Sequence, residues 1–136
     1  MSSSLTDIRV ALKATMAQAG LEVYDTVPEV KQTPCAVIEP TMADFTGAFH
    51  QGGDTYHFFV FVLVANTDPR NAQQILDQYV TGKGPKSIRD FLWQNSTLGL
   101  SDVDSVVTKM DGYNGKFEES GFQMIGARLR VVVTVM

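Results

Sequence analysis

The sequence has 136 residues, of which 44% are hydrophobic and 19% are charged, so it suits one domain with a substantial core. Its net charge of −4 disfavours tight nucleic-acid binding, which needs clustered lysine and arginine. One cysteine, Cys35, excludes an intrachain disulfide, and the low charged fraction predicts that part of the surface contacts other proteins.

Two further features argue against membrane association. The first residues, "MSSSLTDIRV", lack a cationic start followed by an apolar run, so we expect no signal peptide. The apolar stretch at 60–65 is far shorter than the roughly 20 residues that a spanning helix needs.

Residues 4–19 have the spacing of an amphipathic helix. Ser4 is placed to cap it, with Asp7 three residues later as in a capping box, and Gly20 is placed to end it. Its apolar residues recur every three or four positions and form one stripe: Leu5, Ile8, Leu12 and Met16.

Two short strands and a projecting segment are predicted next. "LEVYD" (21–25) is the first strand candidate, and "CAVIE" (35–39) is the second, which we expect Pro40 to stop. We interpret 41–54 as a long hairpin loop or arm that ends in a double glycine. Its apolar anchors are Met42, Phe45 and Phe49.

The strand at 55–65 lacks the alternation of a half-buried strand. From Tyr56 to Ala65 in "DTYHFFVFVLVAN" only His57 is polar, so both faces need a cover. We expect helices on one face, against either the even or the odd positions. An exposed apolar stripe usually marks a binding surface, so the arm or a neighbouring subunit covers the other face.

Two helices follow this strand. In "TDPRNAQQILDQYVTG" either Thr67 or Asp68 is the cap, and Pro69 lies in the first turn, where proline is tolerated. A shorter helix is predicted over 85–94, beginning at its proline, and Trp93 is expected to pack in the core or at its rim. The apolar positions of the first helix follow the helical period: Ala72, Ile75, Leu76, Tyr79 and Val80.

Two strands, at 104–114 and 121–136, are predicted to flank a polar turn around 115–120. Alternate residues of the last strand form an apolar face, whereas its other face is mixed and carries Arg128 and Arg130. Two interpretations of these arginines stay open: exposure to solvent, or ion pairing across a subunit interface. The apolar face consists of Ile125, Ala127, Leu129, Val131, Val133 and Val135.

The predicted order of elements is therefore α-β-β-β-α-α-β-β. Connections of hairpin length indicate a mixed, mostly antiparallel sheet with helices packed on one face. The fold class is α+β, in a single domain that spans 1–136.

No cluster of residues predicts an enzyme. His50 and His57 meet only if the intervening loop folds back, so solvated loop residues are favoured over a metal site. Cys35 begins a strand without a neighbouring histidine, which is typical of a buried hydrophobic residue. "GKGPKS" (82–87) lacks the glycine of a phosphate-binding loop and follows a helix. We therefore predict no catalytic residue, no cofactor and no metal.

The succession of segments carries a family resemblance. An amphipathic helix leads to "GLEVYDTVPE", and a proline-containing stretch precedes the Gly-Asp-Thr-Tyr entry of "GGDTYHFFVFVLVA". Next come "TDPRNAQQILDQYVTGKGPKSIRDFLW" and two closing β segments. Over nearly its whole length the chain resembles the tail terminator (tail-completion) proteins of long-tailed siphophages, the group that includes the minor tail protein U type.

The resemblance implies a virion structural protein that forms a six-fold ring with copies of itself. Such a ring ends tail-tube polymerisation and offers an attachment surface to the head–tail connector. Its partners would be itself, the tail-tube protein and the connector, while DNA passes through the lumen without specific binding. The implied location is the head–tail junction of the virion, and the host cytoplasm during assembly. The resemblance supplies no catalytic residue.

A ring of this kind needs two different patches on each subunit. By elimination we assign one patch to the arm, with Phe45, Phe49 and His50. The second patch is the exposed sheet face with Arg128 and Arg130.

A separate contact with the tube or the connector is expected at the tip "DGYNGKFEESG" (111–121). Its aromatic residues, Tyr113 and Phe117, are the candidate contact residues. Two other functions compete with the terminator hypothesis. One is another structural role in the phage neck or tail tube. The less favoured one is a small ligand-binding or enzymatic α+β domain, which would need a polar pocket.

Overall fold

The protein folds into one five-stranded sheet with three α-helices, as seen in a computed structural model that describes residues 4–25, 33–45, 54–119 and 122–135. The predicted order of elements and the α+β class are confirmed. In chain order the elements are α1 (Leu5–Met16), a 3-10 turn (Ala17–Ala19), β1 (Glu22–Tyr24), β2 (Cys35–Asp44), β3 (Asp54–Ala65), α2 (Pro69–Val80), α3 (Ile88–Gln94), β4 (Val103–Glu119) and β5 (Phe122–Val135).

The strands lie in the order β1-β2-β3-β5-β4. β1 pairs with β2 in parallel, whereas β2 with β3, β3 with β5 and β5 with β4 pair antiparallel. The prediction of a mixed, mostly antiparallel sheet is therefore confirmed. β3 and β5 occupy the centre, and β4 forms one edge.

The helices pack on the face of the sheet that the even-numbered residues of β3 present. This packing forms the main core, and it shows that the even-numbered rather than the odd-numbered residues of β3 lie under the helices. The predicted apolar face of β5 belongs to the same core. Helix residues Ile8, Leu12, Met16, Leu76, Ile88 and Leu92 join Phe58, Val60, Val62 and Val64 there, each with at most 3% of its surface exposed.

The end of β2 differs from the prediction. Pro40 does not stop the strand, because β2 continues to Asp44 and Pro40 pairs with Phe58. Proline is tolerated on an edge strand, where its missing N–H faces away from the partner. β1 pairs only with residues 35–37 of β2, so Pro40 lies at such an edge. Residues 41–44 of the predicted arm are therefore strand, and 46–53 lie outside the described residues.

The predicted polar turn around 115–120 is also wrong in its first part, since β4 runs to Glu119. The glycine- and asparagine-rich stretch instead makes an irregularity in the strand between Asp111 and Gly115. Gly112 (φ 61°) and Asn114 (φ 62°) adopt the left-handed conformation that these residue types tolerate. The strand predicted over 104–114 therefore contains a bulge near its end and continues beyond it.

The first helix begins and ends as expected. The Ser4 side chain accepts a hydrogen bond from the Asp7 N–H at 3.1 Å, and the Asp7 carboxylate accepts one from the Ser4 N–H at 3.0 Å, which completes the capping box. Gly20 follows the 3-10 turn with φ 90°. No helix among the described residues is long and apolar enough to cross a membrane.

The third helix begins at Ile88, three residues after the predicted start at Pro85. Ser87 is its N-cap: the hydroxyl accepts a hydrogen bond from the Asp90 N–H and donates one to the Thr81 carbonyl, which follows α2. This side chain is fully buried and joins the two helices. Trp93, expected in the core or at its rim, is 67% exposed, with the Arg89 guanidinium 6.0 Å from its ring centre.

Replacing Ser87 by alanine removes both hydrogen bonds at a buried position. We expect S87A to lower the free energy of unfolding by about 1–3 kcal/mol, the range of a lost helix cap plus an unsatisfied buried group. Urea denaturation followed by circular dichroism measures the change. The control, S101A, alters an exposed turn position and is expected to stay within about 0.5 kcal/mol of the parent. Equal stability of S87A and S101A would contradict the cap.

Candidate functional site

The candidate site is the sheet face opposite the helices, which we name the open face. It presents the odd-numbered residues of β3 and their neighbours on the adjoining strands, and these residues take no part in the helix-covered core. Among the described residues all three helices pack on the other side. At one end of the open face Cys35, Leu63 and Met124 form a small buried cluster beside Tyr24. The prediction that Cys35 is buried is confirmed.

Two arginines and an aspartate occupy the middle of the open face. Asp111 accepts hydrogen bonds from Nε of Arg128 at 2.6 Å and from Nε of Arg130 at 3.0 Å. The guanidinium carbons lie 4.3 Å and 5.2 Å from the ring centre of Phe59. We name these four residues the arginine cluster. Strand register brings them together, because Phe59 lies opposite Arg130 and Arg128 lies opposite Asp111.

The cluster answers the question that the sequence left open about the two arginines. Both form ion pairs, and the partner is Asp111 of the same chain. Two guanidinium charges against one carboxylate leave one positive charge on this part of an acidic protein. The guanidinium of Arg128, followed by that of Arg130, holds the pKa of Asp111 below its usual range, although burial opposes the shift.

Aromatic rings extend the cluster towards the other end of the face. Phe61 packs edge-on against Phe59 and against Phe117, with ring centres 6.2 Å and 6.4 Å apart. Phe117 lies over Gly126, where an added Cβ would approach the Val62 carbonyl oxygen to 2.5 Å and the Phe117 ring to 3.1 Å. Glycine at 126 therefore permits both the strand pairing and the position of the ring.

Of the three residues predicted for the first patch, the structure describes Phe45, and Phe45 does not lie on the open face. Phe45 is 62% exposed and packs edge-on against Tyr56, 6.1 Å between ring centres. Tyr56 contacts the helix-covered core, so Phe45 lies towards the helix side. Phe49 and His50 lie outside the described residues.

The two aromatic residues of the predicted tip, Tyr113 and Phe117, do not share a face of the sheet. Tyr113 lies on the helix side, where its hydroxyl donates a hydrogen bond to the Asp77 carboxylate and accepts one from the Gln73 amide at 3.1 Å. This bond to Asp77 raises the pKa of Tyr113. Phe117 belongs to the open face. Both residues are part of β4, so the two candidate contacts point to opposite sides of the sheet.

The sequence pattern does not single out Asp111 or the roles of Phe59 and Phe61. Asp111 lies in the predicted strand at 104–114 and gains its partners only through pairing of β4 with β5. The two phenylalanines are predicted to be apolar strand residues, but the sequence does not indicate which face of the strand the helices cover.

The described part of the chain contains no group of three or more histidine, cysteine, aspartate or glutamate side chains placed to hold a metal ion. A shallow depression near the arginine cluster is lined by residues such as Thr41, His57, Thr108 and Arg130. No family model matches the sequence, and no curated protein matches it at a significant level.

The ion pairs of Asp111 predict an acid-sensitive contribution to stability. A carboxylate whose pKa is lowered by folding stabilises the protein above its unfolded pKa, near 3.9, and this contribution is lost as the pH falls through the lower folded value. We expect D111N to be less stable than the parent at pH 7 and to lose less stability between about pH 5 and pH 2.

Urea unfolding at a series of pH values measures both effects. D104N is the matched control, since it removes a carboxylate from an exposed position of the same strand. We expect it to keep the acid sensitivity of the parent. An unchanged pH profile in D111N would show that the two arginines do not stabilise the folded state through this carboxylate.

Proposed function

We propose that the protein is a virion structural protein that forms a ring, ends polymerisation of a phage tail tube and provides the attachment surface for the head–tail connector. Its partners are copies of itself, the tail-tube protein and the connector. DNA passes through the ring without specific binding, in keeping with the net charge of −4. The family resemblance of the sequence and the character of the open face support this proposal.

The open face is the observation that carries the proposal. A five-stranded sheet whose helices, among the described residues, all pack on one side leaves aromatic residues on the other side, with two arginines and an aspartate among them. Aromatic residues and arginine are the types enriched where proteins contact each other.

The arginine cluster is suited to such a contact. Arginine is more weakly hydrated than lysine and stacks on aromatic rings, so its burial by a partner costs less. Asp111 and Phe59 already hold both guanidinium groups in place, and a preordered side chain loses less entropy on binding. A partner that offers a carboxylate would match the remaining positive charge.

Tail-tube length is the measurement that tests this function. The tail-tube protein of the same phage is polymerised with and without the purified protein. The tubes are then examined by electron microscopy with a gold-labelled antibody against the purified protein. We expect shorter tubes that carry label at one end. Label along the whole tube would favour the alternative tube or neck role, and neither binding nor shortening would reject the proposal.

Two substitutions test the contact residues in the same assay. F117D places a carboxylate on the open face, and F45D does so at the start of the predicted arm; we expect both to lose at least tenfold in capping, by burial of an unpaired charge. V10D is the matched control, because Val10 is 53% exposed on α1. If F117D caps tubes as well as V10D, the open face is not the contact. If F45D caps tubes as well as V10D, Phe45 does not contribute to a contact.

A further inference from the structure

Within the described residues, the sheet has one unpaired edge on β2, beyond Val37, and another on β4. β1 pairs only with residues 35–37 of β2, so within the described residues the part of β2 that follows, 38–43, pairs with β3 alone. At the opposite edge, β4 has β5 as its only strand partner in the ranges that the structure describes. The Ser105 N–H donates to the Ser96 carbonyl at 2.8 Å, so a turn occupies this edge at Ser105. Exposed edges of this kind accept a further strand.

Residues that lie opposite one another on successive strands form rows across the sheet. The strand register decides which residues lie at the two ends of each row. One row across the open face consists of Glu39 on β2, Phe59, Arg130 and Lys109 on β4. An adjacent row on this face consists of Met42 on β2, His57, Val132 and Val106 on β4. Each row therefore ends in one residue at the β2 edge and one at the β4 edge.

The two ends of each row are chemically complementary. Glu39 is a carboxylate and Lys109 an ammonium group, and both are exposed. Met42 and Val106 are apolar although 57% and 40% of their surfaces are exposed. If β2 of one copy continues the sheet beside β4 of another without a shift of rows, Glu39 meets Lys109 and Met42 meets Val106. Cross-strand pairs of these two kinds are both favourable.

The strand directions favour the same arrangement. Three successive antiparallel pairings, β2 with β3, β3 with β5 and β5 with β4, make β2 and β4 run in opposite directions. A second copy in the same orientation that extends the sheet therefore presents β2 antiparallel to β4. Antiparallel pairing is the slightly more stable of the two kinds.

We propose that β2 of one copy pairs with β4 of the next, so that the sheet continues from subunit to subunit. The inference rests on the self-association in the proposed function and assigns it to two surfaces. The contact is heterologous, because it joins two different edges, and such contacts repeat around a ring. On one side the pairing ends at Ser105, whose N–H already bonds the Ser96 carbonyl, just before the row that would oppose Asp44 and Asp104. On the other side it ends at the row of Val37 and Asp111, where β1 already lies beside β2. The arginine cluster stays exposed on the continued face for a third partner.

A disulfide between engineered cysteines tests the pairing directly. Met42 and Val106 lie three strand spacings apart within one chain, about 14 Å, whereas a disulfide needs Cα atoms within about 7 Å. A bond in M42C/V106C can therefore form only between copies. We expect mild oxidation to produce a ladder of covalent dimers, trimers and larger species on a non-reducing gel, and each single variant to stop at a dimer.

The matched control is V10C/W93C, which places two cysteines at exposed helix positions. We expect no ladder from it, and the buried Cys35 is present in every variant. Tube capping by the parent protein is measured in parallel. Capping without a ladder rejects the edge pairing and leaves the proposed function standing. A ladder without capping rejects the proposed function and supports the pairing, and the absence of both rejects both.

Charge exchange provides a second, non-covalent measurement. E39K and K109E each replace attraction by repulsion, so we expect roughly tenfold weaker self-association in sedimentation experiments. The double variant E39K/K109E restores the opposite charges and is expected to return to within about threefold of the parent. K83E, at an exposed position between α2 and α3, controls for net charge. Failure of the double variant to recover would contradict the proposed register.

Discussion

The antiparallel pairing of β3 with β5 fixes which side chains lie on each face of the sheet. It runs without a break from Asp54 opposite Val135 to Ala65 opposite Met124. A shift by one residue would exchange the two faces of a strand. The register therefore decides at once that Phe58, Val60 and Val62 lie under the helices and that Phe59 and Phe61 lie on the open face. The edge strands attach to this central pair and take their rows from it.

The aromatic residues of the open face are partly covered by charged side chains. Its phenylalanines are not bare, because the guanidinium groups of Arg128 and Arg130 lie on Phe59 and are themselves held by Asp111. Planar, weakly hydrated cations cover the ring while keeping donors available to a partner. Met42, near the end of the edge strand β2, and Phe45, just after that strand, are more exposed. Apolar residues that are at least partly exposed therefore lie both at the centre of the face and at its edge.

Much of the fold was predictable because helices and buried strands carry periodic signals. The stripe of α1, the capping box at Ser4 and the apolar face of β5 all follow from local spacing, and the structure confirms them. The predicted ends of β2 and β4 were wrong, because in both places the same residues are compatible with two local structures. Pro40 stops a central strand but is tolerated on an edge, and the polar residues after 114 form either a turn or a continuation of the strand. Which outcome holds depends on the neighbouring strand, which spacing along the chain does not reveal.

The element order, the α+β class and the apolar residues on both faces of β3 follow from the sequence alone. These depend on contacts between residues close in the chain and on the period of hydrophobic burial. Three relations depend on the tertiary structure: the helices cover the even-numbered face of β3, Asp111 joins two arginines, and Glu39 and Lys109 end the same row. Such relations arise from strand pairing between segments many residues apart, and a register is a property of two strands together rather than of either alone.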